Sequence, residues 1–72
     1  MVARIYFKTG QSFLDVKNIE KITCLSNVNG STIEITDFKV PFLLKSDEFS
    51  FVGDSIVTVS KENINFVEFR KQ

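Results

Sequence analysis

Apolar and polar residues alternate along most of the chain, β-branched and aromatic residues are abundant, and few windows show helical spacing. A period of two is typical of β-strands whose two faces meet different environments. The first strand is predicted over residues 2–8, and Thr9 and Gly10 then turn the chain into an antiparallel partner strand.

This first hairpin has a predicted register, because a tight turn at Thr9 and Gly10 fixes which residues lie opposite each other. The predicted pairs are Phe7–Ser12, Tyr6–Phe13, Ile5–Leu14, Arg4–Asp15 and Ala3–Val16. One face then collects small and branched apolar residues. The other face carries a ring pair and a charge pair, and both kinds of pair are favourable across antiparallel strands.

A second hairpin is predicted from residues 20–27 and 31–37, which flank Asn29 and Gly30. Asn-Gly favours the two-residue turn in which both central residues take positive φ. The predicted register places Cys24 opposite Ile35 and Ser26 opposite Ile33. Four apolar residues share one face, namely Ile22, Cys24, Ile33 and Ile35.

A short strand is predicted over residues 49–52, followed by a turn at Gly53 and Asp54 and then by a last hairpin. That hairpin joins residues 55–60 to residues 63–70. Its predicted pairs are Val59–Ile64 and Val57–Phe66, with Ile56, Val67 and Phe69 on the reverse face. Apolar residues on both faces predict a strand that is covered on both sides.

Residues 38–45 contain a proline, which interrupts a ladder, among several large apolar side chains. Such a segment plugs one end of the β-core, contacts another subunit, or does both. The candidate interface residues are Phe38, Val40, Phe42, Leu43, Leu44 and, from the last strand, Phe69. Together these elements predict one all-β domain over residues 1–72, with five or six short antiparallel strands and little or no helix. Its expected form is a small SH3-like or Sm-like barrel or a curled meander.

The amino-acid composition predicts that several copies of the chain assemble. Eight Phe and one Tyr in 72 residues carry more ring surface than one small core can cover. The single cysteine, Cys24, excludes an internal disulfide, and one Cys without His cannot build a zinc site. A homo-oligomer is therefore the expected source of extra stability.

Charge and hydropathy limit the partners. Nine basic and nine acidic residues give formal neutrality, which argues against binding of duplex nucleic acid. The longest apolar run, residues 40–44, is far too short to span a membrane, and no signal peptide is visible. We expect a soluble, cytoplasmic protein without membrane contact.

The chain lacks the residues of common catalytic motifs. It has no His and no Gly-x-Ser-x-Gly elbow, and its three glycines are isolated. Asp47, Glu48 and Asp54 are expected to be solvated acids in turns. We therefore predict no catalytic site, no metal and no cofactor.

Candidate binding residues are cations next to aromatic side chains, since rings stack on nucleobases and Arg forks onto phosphate. They are Arg4, Tyr6, Lys8, Phe13 and Arg70. A purely structural interpretation is open for each of them: Arg4 pairs with Asp15, Tyr6 packs on Phe13, and Lys8 is solvated.

Three segments carry a family resemblance, namely IYFKTGQ at residues 5–11, DVKNI at 15–19 and VSKENINFVEF at 59–69. They resemble short all-β proteins encoded by phages and prophages of Bacillus-like bacteria. Some members of that group are oligomeric sponges that capture cyclic-nucleotide or related immune signals. The pattern is also similar to small flagellar-operon β-proteins, which lack the insertion at residues 38–44.

The resulting hypothesis is a non-catalytic oligomeric binding protein. The resemblance implies a phage-type sponge that sequesters a small nucleotide immune signal. The alternative is a protein–protein interaction module, such as a virion or regulatory accessory protein, that uses exposed Phe and Leu side chains.

Overall fold

The computed structural model describes residues 1–10, 12–25, 32–38 and 47–71. These residues form seven strands and one 3-10 turn: β1 (Val2–Phe7), β2 (Phe13–Val16), β3 (Lys21–Leu25), β4 (Thr32–Ile35), β5 (Glu48–Val52), β6 (Ile56–Ser60), the 3-10 turn (Lys61–Asn63) and β7 (Ile64–Arg70). Strands hold 64% of the described residues, which confirms the all-β prediction.

The strands form two antiparallel sheets. The three-stranded sheet has the order β2-β1-β7, and the four-stranded sheet has the order β4-β3-β5-β6. The architecture is therefore not a closed barrel of the expected SH3-like or Sm-like type, and it has seven strands instead of five or six. The difference arises because β2 and β7 end one sheet and β4 and β6 end the other.

The first hairpin has the predicted register: β1 pairs with β2 through Ala3–Val16, Arg4–Asp15, Ile5–Leu14 and Tyr6–Phe13. Gly10 takes a φ of 71° in the turn, a conformation that glycine adopts without steric cost. The backbone N–H of Phe7 donates to the carbonyl of Ser12 at 3.3 Å, as the predicted pairing requires.

The second hairpin has a register two residues away from the predicted one. Cys24 lies opposite Ile33, and Ile22 lies opposite Ile35. A shift of two residues keeps every side chain on its predicted face, because successive strand residues alternate between faces. The turn predicted at Asn29 and Gly30 lies outside the described residues.

The predicted last hairpin is wrong. β6 pairs with β5, as the turn after residue 52 allows, whereas β7 pairs with β1 in the other sheet. The 3-10 turn carries the chain between the sheets and is held at both ends. The Lys61 N–H donates to the Asp47 carbonyl at 2.8 Å, and the Lys8 N–H donates to the Asn63 carbonyl at 3.0 Å.

Buried residues of both sheets form one core. Its members come from alternate positions of the strands and from the connections next to them: Ala3, Ile5, Val16, Ile19, Ile22, Cys24, Phe49, Phe51 and Ile64. Phe49 and Phe51 are the largest of the fully buried side chains. No helix among the described residues is long and apolar enough to cross a membrane.

The β2–β3 corner packs against the β5–β6 turn. Asn18 takes a φ of 52°, and its side-chain amide donates to the Asp54 carboxylate at 2.9 Å. The Asp54 N–H donates to the Lys17 carbonyl at 2.9 Å. Gly53 lies so close that a Cβ there would be 2.5 Å from the Lys17 carbonyl oxygen. The corner therefore requires a glycine at this position.

Candidate functional site: an aromatic row on the three-stranded sheet

The outward face of the three-stranded sheet carries one aromatic side chain from each strand. Tyr6 on the central strand β1 lies opposite Phe13 on β2 and opposite Phe66 on β7. Directly opposed residues of antiparallel strands share a face, so the three rings form a continuous line across the sheet. We call Phe13, Tyr6 and Phe66 the aromatic row.

The rings of the aromatic row contact each other. The centroids of Tyr6 and Phe66 are 4.3 Å apart with an interplanar angle of 25°, which is a stacked pair. Those of Tyr6 and Phe13 are 5.8 Å apart and tilted by 48°. Phe13 and Phe66 remain 46% and 48% exposed, although both rings already have an aromatic neighbour. The row is thus ordered by its own contacts and still offers ring surface to solvent.

A charged row lies beside the aromatic row on the same face. Arg4 on β1 is opposite Asp15 on β2 and Glu68 on β7. The Arg4 guanidinium donates to both oxygens of Asp15, from Nε at 2.8 Å and from Nη2 at 3.0 Å. Its central carbon lies 4.1 Å from the centroid of the Phe13 ring. Arg4 therefore forms a forked ion pair within the charged row and connects this row to the aromatic row by a cation–π contact.

The Arg4–Asp15 hydrogen bonds shift both pKa values. They raise the pKa of Arg4 above its ordinary value, against partial desolvation, and hydrogen bonding with Tyr6 acts in the same direction. They lower the pKa of Asp15, again against desolvation, and the charge of Arg70 adds to this effect. Both groups therefore stay charged near neutral pH, and Asp15 accepts from two of the five guanidinium N–H groups of Arg4.

Arg70 lies at the margin of this face. It is opposite Val2, and its Nε is 3.4 Å from the Glu68 carboxylate in a half-exposed pair. Glu68 and Arg70 share the outward face with Phe66, since the three are spaced by two along β7. Arg70 is therefore a more accessible cation than Arg4, at the opposite end of the face from the rings.

Lys8 is not part of the aromatic row. It follows the end of β1 and lines a cavity of about 490 Å³ together with residues of mixed charge, namely Asp47, Glu48, Ser60, Lys61 and Glu62. Of the five predicted binding residues, the structure brings together Arg4, Tyr6 and Phe13, places Arg70 on the same face, and places Lys8 in this separate cavity.

Phe66 is the member of the aromatic row that the sequence analysis missed. The predicted last hairpin placed it opposite Val57 on a strand covered on both sides, whereas it pairs with Tyr6 and is half exposed. The sequence does contain a signal. Phe66, Glu68 and Arg70 are spaced by two and therefore share one face of the strand. Charged residues on a strand face indicate that this face is exposed to solvent.

The predicted interface residues are described only in part. Phe38 and Phe69 stack with centroids 4.8 Å apart and pack against the core. They line a cavity of about 360 Å³ with Met1, Ile19, Thr36 and Asp37. Val40, Phe42, Leu43 and Leu44 lie outside the described residues. For Phe38 the observed contact is thus within one chain.

The described part of the chain contains no group of three or more Cys, Asp or Glu side chains placed to hold a metal ion. Comparisons with family models, with curated proteins and with solved structures give no match.

Proposed function

We propose that the chain is a non-catalytic oligomeric binding protein whose aromatic row binds the base of a small nucleotide. The observation that supports this proposal is the alignment of Phe13, Tyr6 and Phe66 on one outward face with two rings half exposed. In its most specific form, following the family resemblance, the protein is a phage-type sponge that holds a nucleotide immune signal in the cytoplasm and releases it unchanged.

Base stacking suits this arrangement. Every nucleobase has a flat π-face, and stacking on an aromatic side chain contributes about 1–3 kcal/mol per base. The stacked Tyr6–Phe66 pair ends at β7, which is an edge strand. A base placed on the far side of Phe66 would extend that stack without moving a strand.

The charges suggest how a phosphate would be recognised. The Arg4 guanidinium holds the Asp15 carboxylate in a forked ion pair, and that carboxylate would repel a phosphate that approaches Arg4. Arg70 is about half exposed and has one longer contact with Glu68. We therefore assign contact with an anionic group to Arg70, and we assign to Arg4 the positioning of the Phe13 ring.

Tyrosine fluorescence provides the test, because the chain has one Tyr and no Trp. Titration with nucleosides, nucleotides and cyclic dinucleotides should change Tyr6 emission and saturate for at least one ligand. Phe66→Leu should weaken that binding. Leu14→Ala is the matched control, since Leu14 is equally exposed at 48% on the same sheet but faces the other side. A flat response across the panel, or equal effects of the two substitutions, would contradict base stacking.

The alternative is a protein–protein interaction module. Ile33 and Ile56 favour it, because both belong to the four-stranded sheet and are 54% and 69% exposed. A folded protein that shows no thermal shift with any ligand of the panel would favour this alternative. Recovery of a chemically altered ligand would instead indicate an enzyme.

A further inference from the structure

The four edge strands of the two sheets differ in charge. β2 contains Asp15, β4 contains Glu34, and β7 contains Glu68 and Arg70. β6 has the sequence Ile-Val-Thr-Val-Ser, with neither a charged residue nor a proline. Charged residues and prolines on edge strands oppose pairing with another chain. Among the described edges, β6 is therefore the one without such protection.

β6 also has a backbone side that no described strand covers. It pairs with β5 from Val52–Ile56 to Glu48–Ser60, and it ends the four-stranded sheet. Its residues are β-branched except for Ser60 and favour an extended conformation. Ile56 is the most exposed of the large apolar residues described. An uncharged, β-branched, open edge is suited to accept another strand.

We propose that β6 pairs antiparallel with β6 of a second copy, about a two-fold axis at Thr58. The two four-stranded sheets then join into one continuous sheet. This inference rests on the oligomer of the proposed function and names the surface through which two copies meet.

The register follows from the alternation of faces. Pairing about Thr58 places Val57 opposite the partner's Val59, and Ile56 opposite the partner's Ser60. Val57 and Val59 both pack against the core, so this register keeps the inward faces of the two sheets on one side. A shift by one residue would place an inward side chain opposite an outward one.

A second copy fits this edge because the strand is complementary to itself. β-Branched residues meet β-branched residues near the axis, and no strand residue brings a like charge against its own copy. The chain as a whole has a formal net charge of +0, so two copies do not repel each other at long range.

Light scattering on a matched pair of variants tests the interface. The unchanged protein should have twice the 8.2 kDa mass of one chain, or a higher even multiple. Thr58→Lys places two ammonium groups at the axis and should halve the mass. Thr32→Lys makes the same substitution on the other edge, β4, at an exposed position, and should leave the mass unchanged.

A covalent test covers the case in which Thr58→Lys fails to fold. Residues opposite each other in antiparallel strands have Cα atoms about 4.5–5.5 Å apart. This separation lies within the range that a disulfide bridges, about 4.4–6.8 Å. Thr58→Cys should therefore form a disulfide-linked dimer under mild oxidation, whereas Thr32→Cys should stay monomeric on a non-reducing gel. Cys24 is buried and need not be replaced.

Three results would overturn the inference: a monomeric unchanged protein, an unchanged mass of Thr58→Lys, or equal cross-linking of the two Cys variants. If Phe42→Asp halves the mass and Thr58→Lys leaves it unchanged, the contact between copies lies in residues 38–44 instead. Ligand titration of Thr58→Lys separates this failure from that of the proposed function. If Tyr6 still responds to nucleotides in a protein that never dimerises, the β6 interface alone is wrong.

Discussion

Arg4 and Asp15 lie opposite each other on β1 and β2, and two hydrogen bonds of 2.8 and 3.0 Å join the guanidinium to both carboxylate oxygens. The same guanidinium lies 4.1 Å from the Phe13 ring centroid. One side chain thus serves an ion pair and an aromatic contact at once. Substitutions at Arg4 and at Asp15 should therefore affect stability and ring geometry to different degrees.

The stability of the fold should depend on pH through Asp15. Its pKa in the folded chain is lowered from the ordinary 3.8 by the hydrogen bonds from Arg4. A group with a lowered folded pKa favours folding above its unfolded pKa, and this contribution is lost as the pH falls through the folded value. The free energy of unfolding should therefore fall below about pH 4 in the unchanged protein. In Asp15→Asn the contribution of Asp15 to this fall should be absent.

Urea unfolding from about pH 7 down to about pH 2 measures this difference. Glu34→Gln is a suitable control, because Glu34 forms a more exposed pair with Lys21 at 3.2 Å. The stability of Glu34→Gln should depend on pH in nearly the same way as that of the unchanged protein. Parallel pH profiles for Asp15→Asn and the unchanged protein would show that Arg4 does not hold the Asp15 carboxylate in solution.

Arg4→Ala should lower the melting temperature, because it leaves Asp15 without its ion-pair partner and uncovers the Phe13 ring. Arg4→Ala should weaken nucleotide binding less than Phe66→Leu does, since the Asp15 carboxylate that is paired with Arg4 repels a second anion. Differential scanning fluorimetry and the Tyr6 titration measure the two effects. Loss of binding at an unchanged melting temperature would instead assign Arg4 to direct contact with the ligand.

Gly53→Ala should destabilise the fold by about 1–3 kcal/mol, the usual cost of forcing an extra carbon into a packed site. The added Cβ would lie 2.5 Å from the Lys17 carbonyl oxygen and 2.9 Å from that of Asn18. Backbone atoms cannot move aside as flexible side chains do. Chemical denaturation measures the change.

Gly10→Ala is the comparison for Gly53→Ala. Among the described residues, no atom lies within 4 Å of a Cβ at Gly10, but its φ of 71° is unfavourable for alanine. Its cost should be about 1–2 kcal/mol and should arise from the backbone conformation alone. An unfolding midpoint of Gly53→Ala equal to that of the unchanged protein would contradict the close packing of the β2–β3 corner.

Phe49→Ala should cost about 3–5 kcal/mol, because Phe49 is fully buried between the sheets. A domain of this size has a total stability of roughly 4–11 kcal/mol, so this substitution should remove a large part of it. Phe49→Leu keeps most of the side-chain volume and should remain folded with a smaller loss of stability.

Ile33→Val, at a half-exposed edge position, should change the stability by less than about 0.5 kcal/mol. Equal unfolding midpoints for Phe49→Leu and Ile33→Val would argue against the burial of Phe49.

The first hairpin was predictable because its turn is short and its alternation is regular. Thr9 and Gly10 fix the pairing of Arg4 with Asp15 and of Tyr6 with Phe13, and the structure has both pairs. The ring pair Tyr6–Phe13 and the charge pair Arg4–Asp15 at the site therefore follow from local sequence. The second hairpin differs by two residues from its predicted register because Asn29 and Gly30 do not by themselves determine how β3 pairs with β4.

The partner of β7 could not be predicted from local sequence. Residues 55–70 have the appearance of a hairpin, because two apolar strands flank the short polar stretch at Lys61 and Glu62. A 3-10 turn and a hairpin turn are both compatible with that stretch, and the choice depends on pairing with β1 at the other end of the chain. For this reason local sequence places Phe66 opposite Val57, whereas the structure places it opposite Tyr6.

The pairing of β1 with β7 also determines when the aromatic row can exist. Tyr6 is translated 60 residues before its stacking partner Phe66. Until then β1 has only β2 beside it, and a two-stranded ribbon is marginally stable in water. The nascent chain therefore cannot engage a ligand that needs the Tyr6–Phe66 stack, and that recognition is reserved for molecules whose translation has passed β7.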